Sequence, residues 1–119
     1  MIETICKNYL AYLAGGDTEN MLKLFAAGAV VHSPLYGDIT ADVFYPQLFS
    51  VTRESRLDLK GIYTEIEDPR AVAMAFDYHW TLENGEVRGF SCVDLFRFDS
   101  AGKITDLTII YDTAGASRP

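Results

Sequence analysis

Apolar residues change their spacing halfway along the chain. Ile2, Ile5, Cys6, Tyr9, Leu10 and Leu13 recur at three- and four-residue intervals, which makes one face of a helix apolar, and Gly15-Gly16 ends it. Asp17 or Thr18 can cap a second helix, whose Met21, Leu22, Leu24 and Phe25 run to a break at Gly28. A strand-like AVVH follows, then a turn-rich SPLYGD punctuated by Pro34 and Gly37. A third helix is expected to open near Thr40 to Asp42, with Val43, Phe44, Leu48 and Val51 on its buried side. Pro46 fits that helix in its first turn, where a missing donor costs nothing.

From Leu57 the period becomes two. Four runs read as strands: Leu57 to Glu67, Ala71 to Glu83, Glu86 to Asp99 and Lys103 to Tyr111. Asp68-Pro69, Asn84-Gly85 and Ala101-Gly102 are the turns between them, and Asn-Gly between alternating runs is a strong hairpin signal. Helices followed by an antiparallel meander predict an α+β fold with helices on one sheet face, expected as one domain over residues 1–119.

Composition narrows the partners. With 49% hydrophobic and 23% charged residues, the 119-residue chain is too apolar for disorder and long enough to bury a core without staples. Seventeen acidic against ten basic residues give a formal charge of −7. Nucleic acid and anionic membranes are therefore not expected as partners, since neutralising phosphate needs a basic surface. The start of the chain lacks a basic segment followed by an apolar one, and no run approaches a bilayer-spanning length, so a cytoplasmic location is expected. Cys6 and Cys92 show no paired metal-ligand spacing and read as free thiols; no metal or cofactor is expected.

Three segments, NYLAYLAGGDTENMLKLFA, AVVHSPLYG and VDLFRFDSAGKITDLTIIYD, resemble the nuclear transport factor 2-like superfamily, particularly its SnoaL-like and ketosteroid isomerase-like members. The resemblance spans nearly the whole chain. It implies a cone-shaped fold in which a curved, mostly antiparallel sheet wraps N-terminal helices around a deep apolar pocket, often in a homodimer. In ketosteroid isomerases a helix-one Tyr and a protonated strand Asp hold an enolate oxygen, while a second Asp before a Pro-containing loop moves the proton. Matched by segment, Tyr9 and Asp94 take the first two positions, and Ser33 stands where the base is usual. Ser has no useful basicity at neutral pH without a partner.

Strand parity suggests replacements. If Asp94 points inward, so do Phe90, Cys92 and Phe96. Carrying the register across Asn84-Gly85 as a two-residue turn puts Ala75, Asp77, His79 and Thr81 on the same side, where Asp77 orients His79 as base. His32 is the reserve at the pocket mouth, and Leu107, Ile109 and Tyr111 complete the lining. The opposite row, Val72, Met74, Phe76, Tyr78 and Trp80, is too bulky to leave wet and is assigned to a homodimer through the sheet. Each polar residue also has an ordinary reading: a core Tyr9 with a satisfied hydroxyl, Asp94 in a structural hydrogen-bond network, a sheet His79 and a solvent-facing His32.

The expected function is proton-transfer chemistry, as an isomerase or cyclase, on a small apolar or polycyclic carbonyl compound through an enolate. The alternatives are a dehydratase resembling scytalone dehydratase and a non-catalytic binding or dimerisation module. A limonene-type epoxide hydrolase fits less well, because Cys92 stands where that family's resemblance calls for Arg.

Overall fold

Three helices, α1 (Ile2–Gly15), α2 (Thr18–Lys23) and α3 (Ala41–Ser50), lie on one face of a six-stranded sheet in the computed structural model, which describes residues 1–113. The strands are β1 (Phe25–Ser33), β2 (Gly37–Thr40), β3 (Thr52–Thr64), β4 (Ala71–Leu82), β5 (Val87–Phe98) and β6 (Ile104–Tyr111). Their order across the sheet is β2-β1-β6-β5-β4-β3, antiparallel throughout except where β1 runs parallel to β6. The α+β architecture expected from the change of period is the one observed. No helix of the described residues is long and apolar enough to cross a membrane.

Local chemistry explains where the helices begin and end. Gly16 closes α1 in the left-handed region (φ 62°), which a side chain would resist. Asp17 caps α2 by accepting from the Asn20 amide at 3.1 Å. The second helix stops earlier than its apolar pattern suggests. Phe25 already belongs to β1, and Gly28 (φ 76°) sits in a bulge of that strand, between its pairings at Phe25 and Val30. The SPLYGD segment turns tightly enough for Gly37–Thr40 to pair back on β1, so a short strand replaces the expected loop.

Helix α3 departs from expectation in two ways. Pro46 lies inside it, beyond the first turn, so the Asp42 carbonyl loses its ordinary partner. Its buried stripe is Ala41, Phe44, Tyr45 and Leu48, while Val43 and Val51 are exposed. That stripe follows the three- and four-residue spacing of one helix face, from which Val43 is rotated by a step.

The largest correction concerns β4 and β5. Leu82 donates its amide to the Glu86 carbonyl at 2.8 Å, so three residues, Glu83, Asn84 and Gly85, make the turn. Gly85 occupies the left-handed position (φ 93°) that such a three-residue turn demands. One residue more than a two-residue turn shifts the register by one and reverses every side chain on β4. Asp94 therefore pairs with Met74, Cys92 with Phe76 and Phe90 with Tyr78. Met74, Phe76, Tyr78 and Trp80 point into the core, each 7% exposed or less, and Asp77 and His79 lie on the outer face. The row assigned to a partner is thus the inner wall of the sheet.

Phe76→Ala is expected to lower the unfolding free energy by about 3–5 kcal/mol, whereas His79→Ala should change it by less than about 0.5 kcal/mol. Urea titration of the two variants measures both, and comparable losses would contradict this parity.

Candidate functional site

The sheet's inner face and the helices leave an aromatic-walled cleft between them. Tyr9 and Leu13 come from α1, Ser33 from the end of β1, and Leu35 and Tyr36 from the turn to β2. Phe44 and Leu48 of α3, Phe76, Tyr78 and Trp80 of β4, Phe90, Cys92 and Asp94 of β5, and Ile109 and Tyr111 of β6 complete it. Its volume is about 50 Å³, room for roughly three to five waters at ~10–15 Å³ each. A cleft holding a drug-sized ligand spans roughly 300–1,000 Å³. A polycyclic molecule does not fit unless the walls move.

Tyr9, Tyr78 and Trp80 of these walls are hydrogen-bonded to groups behind the lining. The Tyr9 and Tyr45 hydroxyls are 2.7 Å apart and both buried. Tyr78 and Ser55 hydroxyls meet at 2.8 Å, and Trp80 Nε1 donates to Thr52 Oγ1 at 2.8 Å. Ring contacts run continuously from Trp80 to Tyr78 (6.2 Å between centroids), to Phe90 (5.3 Å) and on to Tyr111 (4.3 Å, stacked).

Among the described residues that line the cleft, Asp94 is the one carboxyl, and no Lys, Arg or His joins it. It is 1% exposed. Loss of hydration pushes its pKa up to about 7, opposed by hydrogen bonding from the Cys92 thiol, 3.2 Å from Oδ1, and from the Tyr9 hydroxyl. Burial drives its neighbours the other way from reactivity: the Tyr9 and Tyr45 phenols lie well above their ordinary range, and the Cys92 thiol is raised by desolvation and by Asp94. Cys6 rises to about 11 for the same two reasons. Asp94 alone in this group changes charge near neutral pH.

The structure brings together Tyr9, Asp94, Ser33, Phe90, Cys92, Ile109 and Tyr111, all on the cleft wall. Asp77 and His79 are not there. Asp77 accepts from Ser91 Oγ at 2.9 Å and faces Lys60 Nζ at 3.6 Å on the outer surface, where His79 is exposed. His32 also points outward: Nδ1 lies 2.9 Å from Asp38 and Nε2 2.8 Å from Asp106, and these two carboxylates, Asp38 foremost, raise its pKa. Val31 beside it takes the inward position, fully buried. Leu107 is also fully buried, pairing with Phe96 in the packed interior, and does not line the cleft. Ser33 Oγ accepts from the Leu35 and Tyr36 amides, each at 3.2 Å, so it holds a turn. Tyr45, behind Tyr9, was outside the sequence reading, although its place one turn before Leu48 on the α3 stripe signals burial.

Residues 6–107 match the family described as the SnoaL-like domain. No curated protein matches the sequence. Among solved structures, the epoxide hydrolase/cyclase-like enzyme SalBIII, described in pyran ring formation in the polyether salinomycin, superposes with a TM-score of 0.82 at 16% identity, over 96% of this chain and 92% of that one. A Δ5-3-ketosteroid isomerase from Mycobacterium sp. gives 0.80 at 20% identity, over 96% and 95%. A protein of ketosteroid isomerase-like fold from Catenulispora acidiphila, in complex with trimethylamine, gives 0.80 at 15% identity, over 97% and 93%. These likenesses establish the fold.

The Asp94 carboxyl carbon should titrate in NMR with a midpoint near 7, against an ordinary 3.8. Between those values the folded protein binds the extra proton, so this group's contribution to stability falls as pH rises from about 4 to about 7 and is level above. Asp94→Asn is expected to remove that decline in a pH series of urea titrations; an unchanged slope would refute the raised pKa.

Proposed function

The chain belongs to the SnoaL-like domain family, and on that premise we propose that it binds a compact, largely apolar carbonyl compound in the cleft and exchanges a proton with it through an enolate. The observation that carries this reading is Asp94: a dry carboxyl with a pKa of about 7, beside the Tyr9 hydroxyl. A general base works best with a pKa near the operating pH.

With His79 outside and Ser33 tied into its turn, Asp94 itself is the base. Its carboxylate takes the proton from a carbon next to the carbonyl. The C–H electron pair becomes the enolate double bond, and the carbonyl oxygen gains the charge. As Asp94 takes the proton, the Tyr9 hydroxyl, paired with that of Tyr45, turns from Asp94 and donates to that oxygen. Return of the same proton to a different carbon is isomerisation; attack of the enolate carbon on a second carbonyl of the ligand is cyclisation. A dehydratase would use Asp94 in the opposite form, handing a proton to a leaving hydroxyl. The non-catalytic alternative draws support from Ser33, which supplies no second base.

We also propose a homodimer through the sheet, by its outer face in place of the inward row first assigned to it. Tyr63, Leu95 and Ile110 are 61%, 40% and 49% exposed there. Leu95→Arg is expected to convert a dimer to a monomer in sedimentation equilibrium, and a monomeric unmodified protein would dismiss the dimer.

On small enones, kcat/KM should rise with pH to a plateau above about 7, fall about a hundredfold or more in Asp94→Asn and about tenfold in Tyr9→Phe, and stay within about twofold in His79→Ala. A rate that falls with rising pH would assign Asp94 as the acid of a dehydratase. No turnover of any enone would leave the binding module.

A further inference from the structure

The cleft combines three properties that a neutral carbonyl ligand does not require together. Its walls are aromatic on several sides: Tyr36, Phe44, Tyr78, Trp80, Phe90 and Tyr111 come from five separate segments. The polar ends of Tyr78 and Trp80 are bonded to Ser55 and Thr52, outside the lining, which leaves their rings as the cleft's surface. Among the described residues its only carboxyl is buried, and no cationic side chain lines the cleft beside it. Electron-rich ring faces attract cations, and a buried carboxylate gains most from an opposite charge brought into the same low-dielectric space.

We propose that the cleft is a site for a compact alkylammonium cation, held by the aromatic walls and paired with the Asp94 carboxylate. The volume of about 50 Å³ suits a group of a few heavy atoms. A methylated ammonium is weakly hydrated for its charge, so aromatic surface replaces its water at low cost, which a primary ammonium with three strong donors does not permit here. The chain's charge of −7 favours approach of a cation over that of an anion. The proposal stands on the walls and the carboxyl and does not need the proton exchange described above.

Asp94 must be ionised for the pairing. The titratable groups around it are Cys6 and Tyr9 of α1, Tyr45 of α3, Tyr78 of β4 and Cys92 of its own strand, and burial keeps all of these neutral at pH 8.5. Affinity for a cation therefore rises with pH as Asp94 loses its proton, and affinity for an uncharged molecule of the same shape does not.

Trp80 is the chain's single tryptophan and lines the cleft, so its fluorescence reports occupancy directly. The full chain is titrated with tetramethylammonium chloride, with neopentyl alcohol as the neutral counterpart of similar size and sodium chloride as the ionic-strength control. At pH 8.5 the cation should bind saturably and at least about tenfold tighter than the alcohol. At pH 5.5 that preference should fall to about twofold or less, a comparison that needs no variant. Asp94→Asn should abolish the preference at both pH values. Absence of saturable binding at pH 8.5, equal affinity for the alcohol, or a preference that survives at pH 5.5 would each overturn the proposal. These outcomes are separate from enone turnover, which tests the proton exchange.

Discussion

The pairing of β4 with β5 decides what this protein can do. Side chains on a strand alternate between faces, so a single register choice sends one complete row inward and the other out. Closure of the hairpin at Leu82 and Glu86 around three residues puts Phe76, Tyr78 and Trp80 beside Cys92 and Asp94. With one residue fewer, Asp77 and His79 would occupy the interior and the aromatic wall would be wet. Gly85 makes the longer turn comfortable, because its positive φ is open to a residue without Cβ.

The sequence displayed the answer in one form and hid it in another. The alternation Val72, Met74, Phe76, Tyr78, Trp80 marks the bulkiest row on the strand, and bulk alone sends it inward. Reading Asn84-Gly85 as a two-residue turn contradicted that row, and hydrophobic burial outweighs turn chemistry when the two disagree. Within β5 and β6 no turn had to be crossed, and Phe90, Cys92, Asp94, Ile109 and Tyr111 all face the cleft as their spacing indicates. The order of elements was readable for a similar reason: a helical period followed by a strand period is a long-range pattern. What resisted reading was contact between distant segments. The Tyr9 to Tyr45 hydroxyl pair joins residues 36 apart, and neither position carries a local sign of the other.

Keeping one acid in a dry aromatic interior opposes stability, since a carboxyl with a raised pKa favours the unfolded chain at neutral pH. The surroundings reduce that penalty without removing it. Cys92 and Tyr9 donate toward the carboxyl, and the polar ends of Tyr78 and Trp80 are bonded to Ser55 and Thr52, so the cost of burying charge falls on Asp94. Such concentration of cost at one group is typical of a working site and unusual in a purely structural core. Ser33 shows the contrast: it lines the same cleft, yet its hydroxyl is spent on holding the chain through Leu35 and Tyr36.

The parallel contact of β1 with β6 bears on how the molecule assembles. In the order β2-β1-β6-β5-β4-β3, the strand that comes last in chain order among those described is the one that joins the others. Before it arrives, the sheet exists as a two-stranded piece and a three-stranded piece, with bare hydrogen-bonding edges at β1 and β5. Joining them closes a loop from Val31 to Leu107, a contact of long sequence separation that local hairpins cannot supply. A nascent chain in which β6 has not yet emerged thus exposes two sticky margins at once, and its vulnerability to wrong association ends only when β6 slots between them.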